Sequence, residues 1–168
     1  MRNLILSIAM CSGLATTPAF AIGSASDEAL TPLTPECLAS AAERYELHPD
    51  ILLAILIVEG GTVGQNNRGN ANGSYDIGPF QLNTIHLPTL AKFNITETEL
   101  RNDGCLNAAV AAWHLRRVLT PQVLSNVTDD ESYLRALALY HSATPEYNEI
   151  YAGKLRAAFT YLYDNEAQ

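Results

Sequence analysis

The sequence is poor in basic residues, and this limits the partners that it can recognise. Its 168 residues include 10 Lys or Arg against 18 Asp or Glu, which gives a formal net charge of −8. Its only adjacent basic residues are Arg116 and Arg117. Because binding to a phosphate backbone depends on clustered positive charge, this composition argues against nucleic acid as a partner.

Long apolar runs are also scarce beyond the start of the chain. Ile51–Val58 is apolar throughout but falls well short of the ~20 residues needed to cross a bilayer. At the start, Arg2 precedes the apolar stretch Leu4–Met10, and Ala19-Phe20-Ala21 has the A-x-A form of a cleavage site. Residues 1–21 are therefore expected to be a signal peptide, and the mature chain is expected to be periplasmic without a transmembrane segment.

Cysteine is rare, with three residues in the whole chain. Cys11 lies in the expected signal peptide and would leave with it. Cys37 and Cys105 would then be the two cysteines of the mature protein, and in an oxidising compartment such a pair predicts a disulfide. The alternative, two buried free thiols, stays open on this reasoning.

Patterns that would indicate a metal or a cofactor are missing. The four histidines lack the H-E-x-x-H spacing or any other ligand spacing. A calcium loop counted from Asn66 would place Ile77 where a bidentate glutamate is required. Neither a phosphate-binding loop nor a G-x-S-x-G nucleophile motif is present. We expect no metal and no cofactor.

The periodicity of the mature chain predicts an all-α fold. Residues 22–34 are rich in Ser, Thr, Ala and Pro and are expected to be a flexible leader. Thr128 and Glu131 match a capping box at the start of a helix. Together, residues 35–168 predict a mainly helical single domain, with one long irregular loop or short hairpin after the second helix. The expected helices are 35–47, 49–59, 103–120, 129–141 and one that begins at Pro145.

Glu59 is unusual because it ends the most apolar stretch of the mature chain, "ILLAILIVEGG", whose helix is expected to be covered on every side. Its negative charge would face the negative end of the helix dipole, and Ile55 and Leu56 lie one turn earlier. Both effects favour the neutral acid, so we expect a raised pKa that suits general-acid chemistry. The alternative is a surface glutamate that reaches water past Gly60 and Gly61.

The segment after Glu59 is rich in amide side chains. Such groups suit sugar hydroxyls and acetamido groups, although turns also require Asn and Gly. Asp76 would be the second carboxylate if the reaction were glycoside cleavage, or else a residue that stabilises a turn. The polar candidates in this segment are Gln65, Asn66, Asn67, Asn70, Asn72, Tyr75, Gln81 and Asn83.

Four segments in order resemble the small lytic transglycosylases of the lysozyme-like superfamily, in particular those that accompany type III and type IV secretion and conjugation machines. "CLASAAERYELHPDILLAILIVEGG" is similar to the opening helices and glutamate of that family, and "GNANGSYDIGPFQLNTIHLPTL" to its G-x-[M/F]-Q-[I/L]-N element. "DGCLNAAVAAWHL" resembles its D-x-C-x-N helix, and "ALYHSATPEYNEIYAGKLR" its A-Y-N-x-G…Y-A-x-K segment. Gly60 stands where many relatives have Ser, His141 where they have Asn, and Ala143 where they often have Gly.

The resemblance implies a role for each candidate. Glu59 would be the catalytic acid and base, and Gln81 and Asn83 would lie along a glycan cleft. Tyr140 would help to orient the glutamate. From the residues themselves, independently of the resemblance, we expect Gly60-Gly61 to let a sugar chain come close. The remaining expected substrate contacts are Tyr75, Asp76 and Tyr151.

The implied activity is cleavage of the β-1,4 bond between N-acetylmuramic acid and N-acetylglucosamine in peptidoglycan, with a 1,6-anhydro product. The expected partners are peptidoglycan glycan strands and the proteins of a secretion or conjugation apparatus. Two alternatives remain. One is a lysozyme-type hydrolase that uses Glu59 and Asp76. The other is a glycan-binding assembly module without catalytic activity.

Overall fold

The computed structural model describes residues 29–166, so the expected signal peptide and most of the expected leader lie outside the described residues. Within this part, the fold consists of eight α-helices and one short hairpin, which confirms the mainly helical fold. Three short 3₁₀ turns, Thr84–His86, Ala91–Phe93 and Ala138–Tyr140, join some of the helices. The helices are α1 (Pro35–Arg44), α2 (Pro49–Glu59), α3 (Leu87–Leu90), α4 (Glu97–Asn102), α5 (Gly104–Val118), α6 (Pro121–Ser125), α7 (Asp130–Leu137) and α8 (Pro145–Glu166).

Proline sets the start of several helices. It occupies the first turn of α1, α2 and α6, where its missing N–H costs no helical hydrogen bond and its φ already suits the helix. α8 also begins at a proline, Pro145. The starts predicted at Pro35, Pro49 and Pro145 are therefore confirmed.

α2 lies at the centre of the domain, where it packs against α1, α5 and α8. Ile51, Leu52 and Ile55 of this helix are buried. The expectation that α2 is covered on every side is wrong at Ile57, which is 41% exposed. The helix ends at Glu59 and is capped by Gly60, whose φ of 60° is left-handed and therefore suits glycine.

The segment after α2 forms the short hairpin that the sequence allowed. β1 (Asp76–Ile77) and β2 (Leu82–Asn83) are antiparallel, with Asp76 opposite Asn83 and Ile77 opposite Leu82. Ile77 and Leu82 are buried in the core. Because side chains alternate across a strand, Asp76 and Asn83 share the other face of the hairpin.

The described part of the expected leader is held in place. Thr31 donates a backbone hydrogen bond to Asn102 and accepts one from Gly104, at 2.9 and 2.8 Å between nitrogen and oxygen. A Cβ at Gly104 would lie 2.5 Å from the backbone nitrogen of Leu33. The end of the expected leader therefore pairs with the α4–α5 junction through Thr31.

α7 differs from its prediction at both ends. The residue that caps it is Asp129, which forms a capping box with Ser132 in place of the expected pair Thr128 and Glu131. Glu131 instead forms an ion pair with Arg156 of α8. The α-helix ends at Leu137, and the tighter turn Ala138–Tyr140 completes the expected segment.

No helix within residues 29–166 combines the length and apolar character that a bilayer span requires. The buried side chains instead form one cluster that includes residues from α1, α2, α5, α7, α8 and the hairpin.

The predicted disulfide between Cys37 and Cys105 is confirmed, and it joins the first turn of α1 to the first turn of α5. Replacing both cysteines by Ala should lower the free energy of unfolding by about 4 kcal/mol, because the bond closes a long loop in the unfolded chain. Urea denaturation measures this change. Reductant should weaken the parent protein and leave the double variant unaffected; equal stability of parent and variant would contradict the prediction.

Candidate functional site

A polar cleft of about 450 Å³ lies where the end of α2, the hairpin and the turn after α7 meet. Carboxylates, amides, hydroxyls and imidazoles form most of its lining, and Ile85 is an apolar residue exposed at its edge. The residues of this lining that the sequence offered as candidates are Glu59, Asn70, Asn72, Asp76, Gln81, Asn83 and Tyr140.

A groove of about 690 Å³ lies at the opposite end of α2, beside His48, Asp50 and Ile51. Its walls come from α7 and the second half of α8, and it contains none of the site residues that the sequence predicted. The chemistry predicted from the sequence therefore falls in the smaller, more polar cleft.

Glu59 is the last residue of α2 and is largely buried at the cleft. Burial is the main cause that raises its pKa from 4.5 to about 7. The hydrogen bond from Tyr151 opposes this rise, the negative charge of Asp76 adds to it, and the positive charge of Lys154 opposes it. The predicted rise in pKa is confirmed. Near neutral pH, Glu59 is thus present in comparable amounts as acid and as carboxylate.

Two tyrosines near Glu59 have different roles in the structure. The hydroxyl of Tyr151, on α8, donates a hydrogen bond of 2.6 Å to Glu59 Oε1. The hydroxyl of Tyr140 donates instead to the backbone carbonyl of Phe80, at 2.8 Å. Tyr151 therefore contacts the glutamate directly, whereas Tyr140, which was expected to help orient it, bonds to the hairpin.

Asp76 is fixed by two amide side chains, one on each carboxylate oxygen. Asn83 Nδ2 donates to Oδ1 at 2.6 Å, and Asn67 Nδ2 donates to Oδ2. Asn83 also accepts a hydrogen bond from the backbone N–H of Ile85. Asn83 therefore lines the cleft as expected, but its amide serves to hold Asp76 and the following turn.

Gln81 lies at the tip of the hairpin with a left-handed φ of 48°, and its amide donates to the carbonyl of Gly78 at 2.8 Å. Gly61 makes this arrangement possible, because a Cβ there would lie 2.1 Å from Gly78 O and 2.5 Å from Gln81 Nε2. Gly60 and Gly61 line an apolar groove with Pro79 and are absent from the lining of the Glu59 cleft. At Gly61 the hairpin occupies the nearby space, whereas a Cβ at Gly60 would meet no atom within 4 Å. The expectation that the two glycines let a sugar chain come close stays a prediction.

Asn107 is a buried residue of α5 whose part in the site was not predicted. Its Oδ1 accepts from the N–H of Phe80 at 3.0 Å, and its Nδ2 donates to the carbonyls of Ile77 and Leu100 at 3.1 and 2.9 Å. Tyr140 donates to the carbonyl of Phe80, so both backbone polar groups of Phe80 are hydrogen-bonded to side chains. The signal in the sequence was a polar residue within the apolar stretch of "CLNAAVAAW".

Three histidines also line the cleft and were not predicted to be site residues. The rings of His86 and His114 lie 4.4 Å apart between centroids, and His114 Nε2 lies 3.1 Å from the carbonyl oxygen of Tyr140. Burial lowers the pKa of His86 to about 4 and also lowers the pKa of His114. These two side chains are therefore neutral at physiological pH, and the third, His141, stacks on Tyr151.

Two of the expected substrate contacts, Tyr75 and Tyr151, are absent from the lining of the cleft. Tyr151 is buried, at 2% exposure. Tyr75 packs against the core, and its hydroxyl interacts with Glu97. This hydrogen bond raises the pKa of Tyr75.

Among the described residues, no group of three or more His, Cys, Asp or Glu is arranged to hold a metal ion.

A helical domain that presents a largely buried glutamate to a polar cleft fits the lysozyme-like class expected from the sequence. A sequence model of the family described as Transglycosylase SLT domain matches residues 36–143, which is more than half of the chain. The chain belongs to this family.

Named relatives are similar over part of the chain. The invasion protein IagB of Salmonella typhimurium and of Salmonella typhi is 31% identical over 81 residues, 46% of this chain and 48% of the relative. A peptidoglycan-binding-like protein of Escherichia coli O157:H7 is also 31% identical over 81 residues, 44% of this chain and 48% of that protein. The chain thus spans about half the length of these curated relatives.

Replacing Tyr140 by Phe should loosen the hairpin, because the buried carbonyl of Phe80 would lose its hydroxyl donor. We expect the free energy of unfolding to fall by about 1–3 kcal/mol, and hydrogen exchange of the hairpin amides to become faster. Tyr147→Phe, at an exposed position of α8, is the matched control and should change neither quantity. Unchanged hairpin exchange in Tyr140→Phe would show that this contact does not hold the hairpin.

Replacing Glu59 by Gln should stabilise the protein at alkaline pH. The native state favours the protonated acid, so it binds more protons than the unfolded state between pH 4.5 and about 7 and loses stability as pH rises through that window. The glutamine side chain does not ionise and can still accept the hydrogen bond from Tyr151. We expect a gain on the order of 2 kcal/mol above pH 7, allowing for the partial exposure of Glu59.

Urea denaturation at pH 4 and pH 8 measures this difference between parent and variant. Glu43→Gln, at an exposed position of α1, removes one negative charge without burial and serves as the control. A gain for Glu59→Gln that is the same at both pH values would contradict the raised pKa.

Proposed function

We propose that this protein is a peptidoglycan lytic transglycosylase in which Glu59 is the single catalytic acid and base. The observation that carries the proposal is the setting of Glu59, which is largely buried at a polar cleft and has a pKa of about 7. Membership of the SLT family supports a peptidoglycan substrate. The bond cleaved would be the β-1,4 linkage from N-acetylmuramic acid to N-acetylglucosamine.

In the first step, protonated Glu59 donates its proton to the glycosidic oxygen while the bond from that oxygen to C1 of the muramic residue breaks. The acetamido group of the same sugar supports the cationic carbon, as in glycosidases that rely on assistance from the substrate. N-acetylglucosamine leaves with the transferred proton on its new hydroxyl. Tyr151 holds Glu59 Oε1, which leaves Oε2 to exchange the proton.

In the second step, the ionised Glu59 accepts the proton of the C6 hydroxyl while that oxygen attacks C1. A 1,6-anhydro ring closes and the glutamic acid is regenerated, so no water is consumed. The two steps need the acid and the carboxylate in turn. A pKa near neutral pH favours a group that must serve in both forms.

A lysozyme-type hydrolase is the second candidate, and the observation in its favour is Asp76. This residue lines the same cleft as Glu59, and two amides fix its carboxylate. In a hydrolase it would support the cationic sugar or activate water. In the transglycosylase it would act through its charge, by favouring the protonated form of Glu59.

We further propose a periplasmic protein that opens the wall locally for a secretion or conjugation apparatus. Export would use residues 1–21 as a signal peptide. The relatives named an invasion protein and a peptidoglycan-binding-like protein are compatible with such a setting. A glycan-binding assembly module without catalysis would bind the same wall but release no fragments from it.

Glu59→Gln should lower the release of soluble fragments from purified peptidoglycan by about 10²–10⁴-fold, because it keeps the size of the side chain and removes the acid. Glu43→Gln should retain full activity. For the parent protein, activity should fall as pH rises through about 7, where Glu59 loses its proton. Full activity of Glu59→Gln would sink the proposal, and wall binding without fragments from the parent protein would favour the assembly module.

Mass spectrometry of the fragments decides between the two reactions in the same assay. Fragments with 1,6-anhydro ends carry one water molecule less than those with reducing ends. Anhydro ends would establish the transglycosylase, whereas reducing ends would establish the hydrolase.

A further inference from the structure

The side chain of His141 covers one face of the tyrosine that holds Glu59. The two rings are stacked, with 4.8 Å between the centroids of His141 and Tyr151 and 3° between their planes. His141 is exposed and lines the cleft, whereas Tyr151 is only 2% exposed. The imidazole is therefore a layer between the open cleft and the phenol ring.

This position matters because the hydrogen bond from Tyr151 to Glu59 depends on the direction of the phenol. The bond is 2.6 Å long and joins α8 to the end of α2. A flat side chain on one face of a tyrosine limits the tilt of its ring and so keeps the hydroxyl in line with the carboxyl group. Loss of this cover would let the ring move and would admit water beside the bond.

The charges around the pair leave the stack uncharged at neutral pH. Burial and the positive charge of Lys154 lower the pKa of His141, and the negative charge of Asp76 opposes them. The neutral ring therefore adds no positive charge next to Glu59. Glu59 itself faces Tyr151 and Lys154 from α8 and Asp76 from the hairpin.

We propose that His141 is a positioning residue of this site: its ring fixes the plane of Tyr151 and keeps water away from the hydrogen bond between Tyr151 and Glu59. The role requires a flat ring at this position and does not require a proton on it. The expected effect on the rate rests on the function proposed above. The expected effect on the pKa of Glu59 does not depend on that function.

Three variants at position 141 distinguish a role for the flat ring of His141 from a role for its proton. His141→Phe keeps a flat ring and cannot titrate, His141→Ala removes the ring, and His141→Asn leaves a small planar amide. We expect His141→Ala to lower kcat about tenfold with little change in KM, and to move the alkaline limb of the pH profile to lower pH. His141→Phe should stay within about twofold of the parent protein, and His141→Asn should fall between the two.

The second measurement is an NMR titration of the Glu59 side-chain carbon, which needs no activity. Burial is the largest cause of the raised pKa of Glu59, and the hydrogen bond from Tyr151 opposes it to a smaller degree. Exposure to water in His141→Ala should therefore outweigh the weakening of that bond and lower the pKa of Glu59, and His141→Phe should restore it. If the parent protein releases no fragments but these titrations follow the expected order, the proposed function fails and the positioning role stands. Unchanged titrations in all three variants would overturn the positioning role, whatever the activity.

The comparison of Ala with Phe also excludes the competing explanations. If His141→Phe is as impaired as His141→Ala, the imidazole itself is needed and the positioning role is wrong. If both variants match the parent protein, the stack has no role. Thermal unfolding of each variant, at this exposed position, confirms that activities are compared between folded proteins.

Discussion

The hydrogen bond between Tyr151 and Glu59 is the interaction on which the rest of the site depends. A carboxyl group at the last residue of α2 is in an unfavourable place, because it lies near the negative end of the helix and is largely out of water. A neutral hydroxyl donor at 2.6 Å satisfies one oxygen without forcing ionisation. A lysine in the same place would have held the group as a carboxylate. The packing of α8 on α2 is thus what allows a glutamic acid to persist here.

The hairpin depends on a second constraint, which is the saturation of its buried polar groups. The amide of Asn107 accepts from the N–H of Phe80 and donates to the carbonyls of Ile77 and Leu100. The hydroxyl of Tyr140 donates to the carbonyl of Phe80. Each partner is buried, so a missing one would leave a polar group without compensation. The same turn lies against Gly61, where a side chain would not fit. The position of Asp76 relative to α2 therefore follows from the contacts that Asn107, Tyr140 and Gly61 make with the hairpin.

Local chemistry made some features predictable and left others out of reach. Prolines at helix starts, the disulfide and the raised pKa of Glu59 each depend on neighbours in sequence or on the compartment, and each was found. Which tyrosine donates a hydrogen bond to Glu59 was not found, because this depends on the angle at which α8 crosses α2. The pairing of Asn67 and Asn83 with Asp76 was not predicted for a similar reason, because it exists only once the hairpin has formed. Thr31 pairs with the α4–α5 junction, although the composition of the residues around it in sequence predicts a flexible segment.

In the proposed reaction, the electrostatic balance at Glu59 would let one carboxyl group serve where most glycosidases use two. Burial alone would hold the acid in its neutral form, and a group that never ionises cannot take a proton back. Tyr151 and Lys154 favour the ionised form, while Asp76 disfavours it. The result is a pKa of about 7, where both forms are present at the same time. Most glycosidases use a second carboxylate as the base or nucleophile, and others rely on assistance from the substrate. In the proposed reaction, Asp76 can therefore remain a fixed charge beside the cleft, because Glu59 serves first as the acid and then as the base.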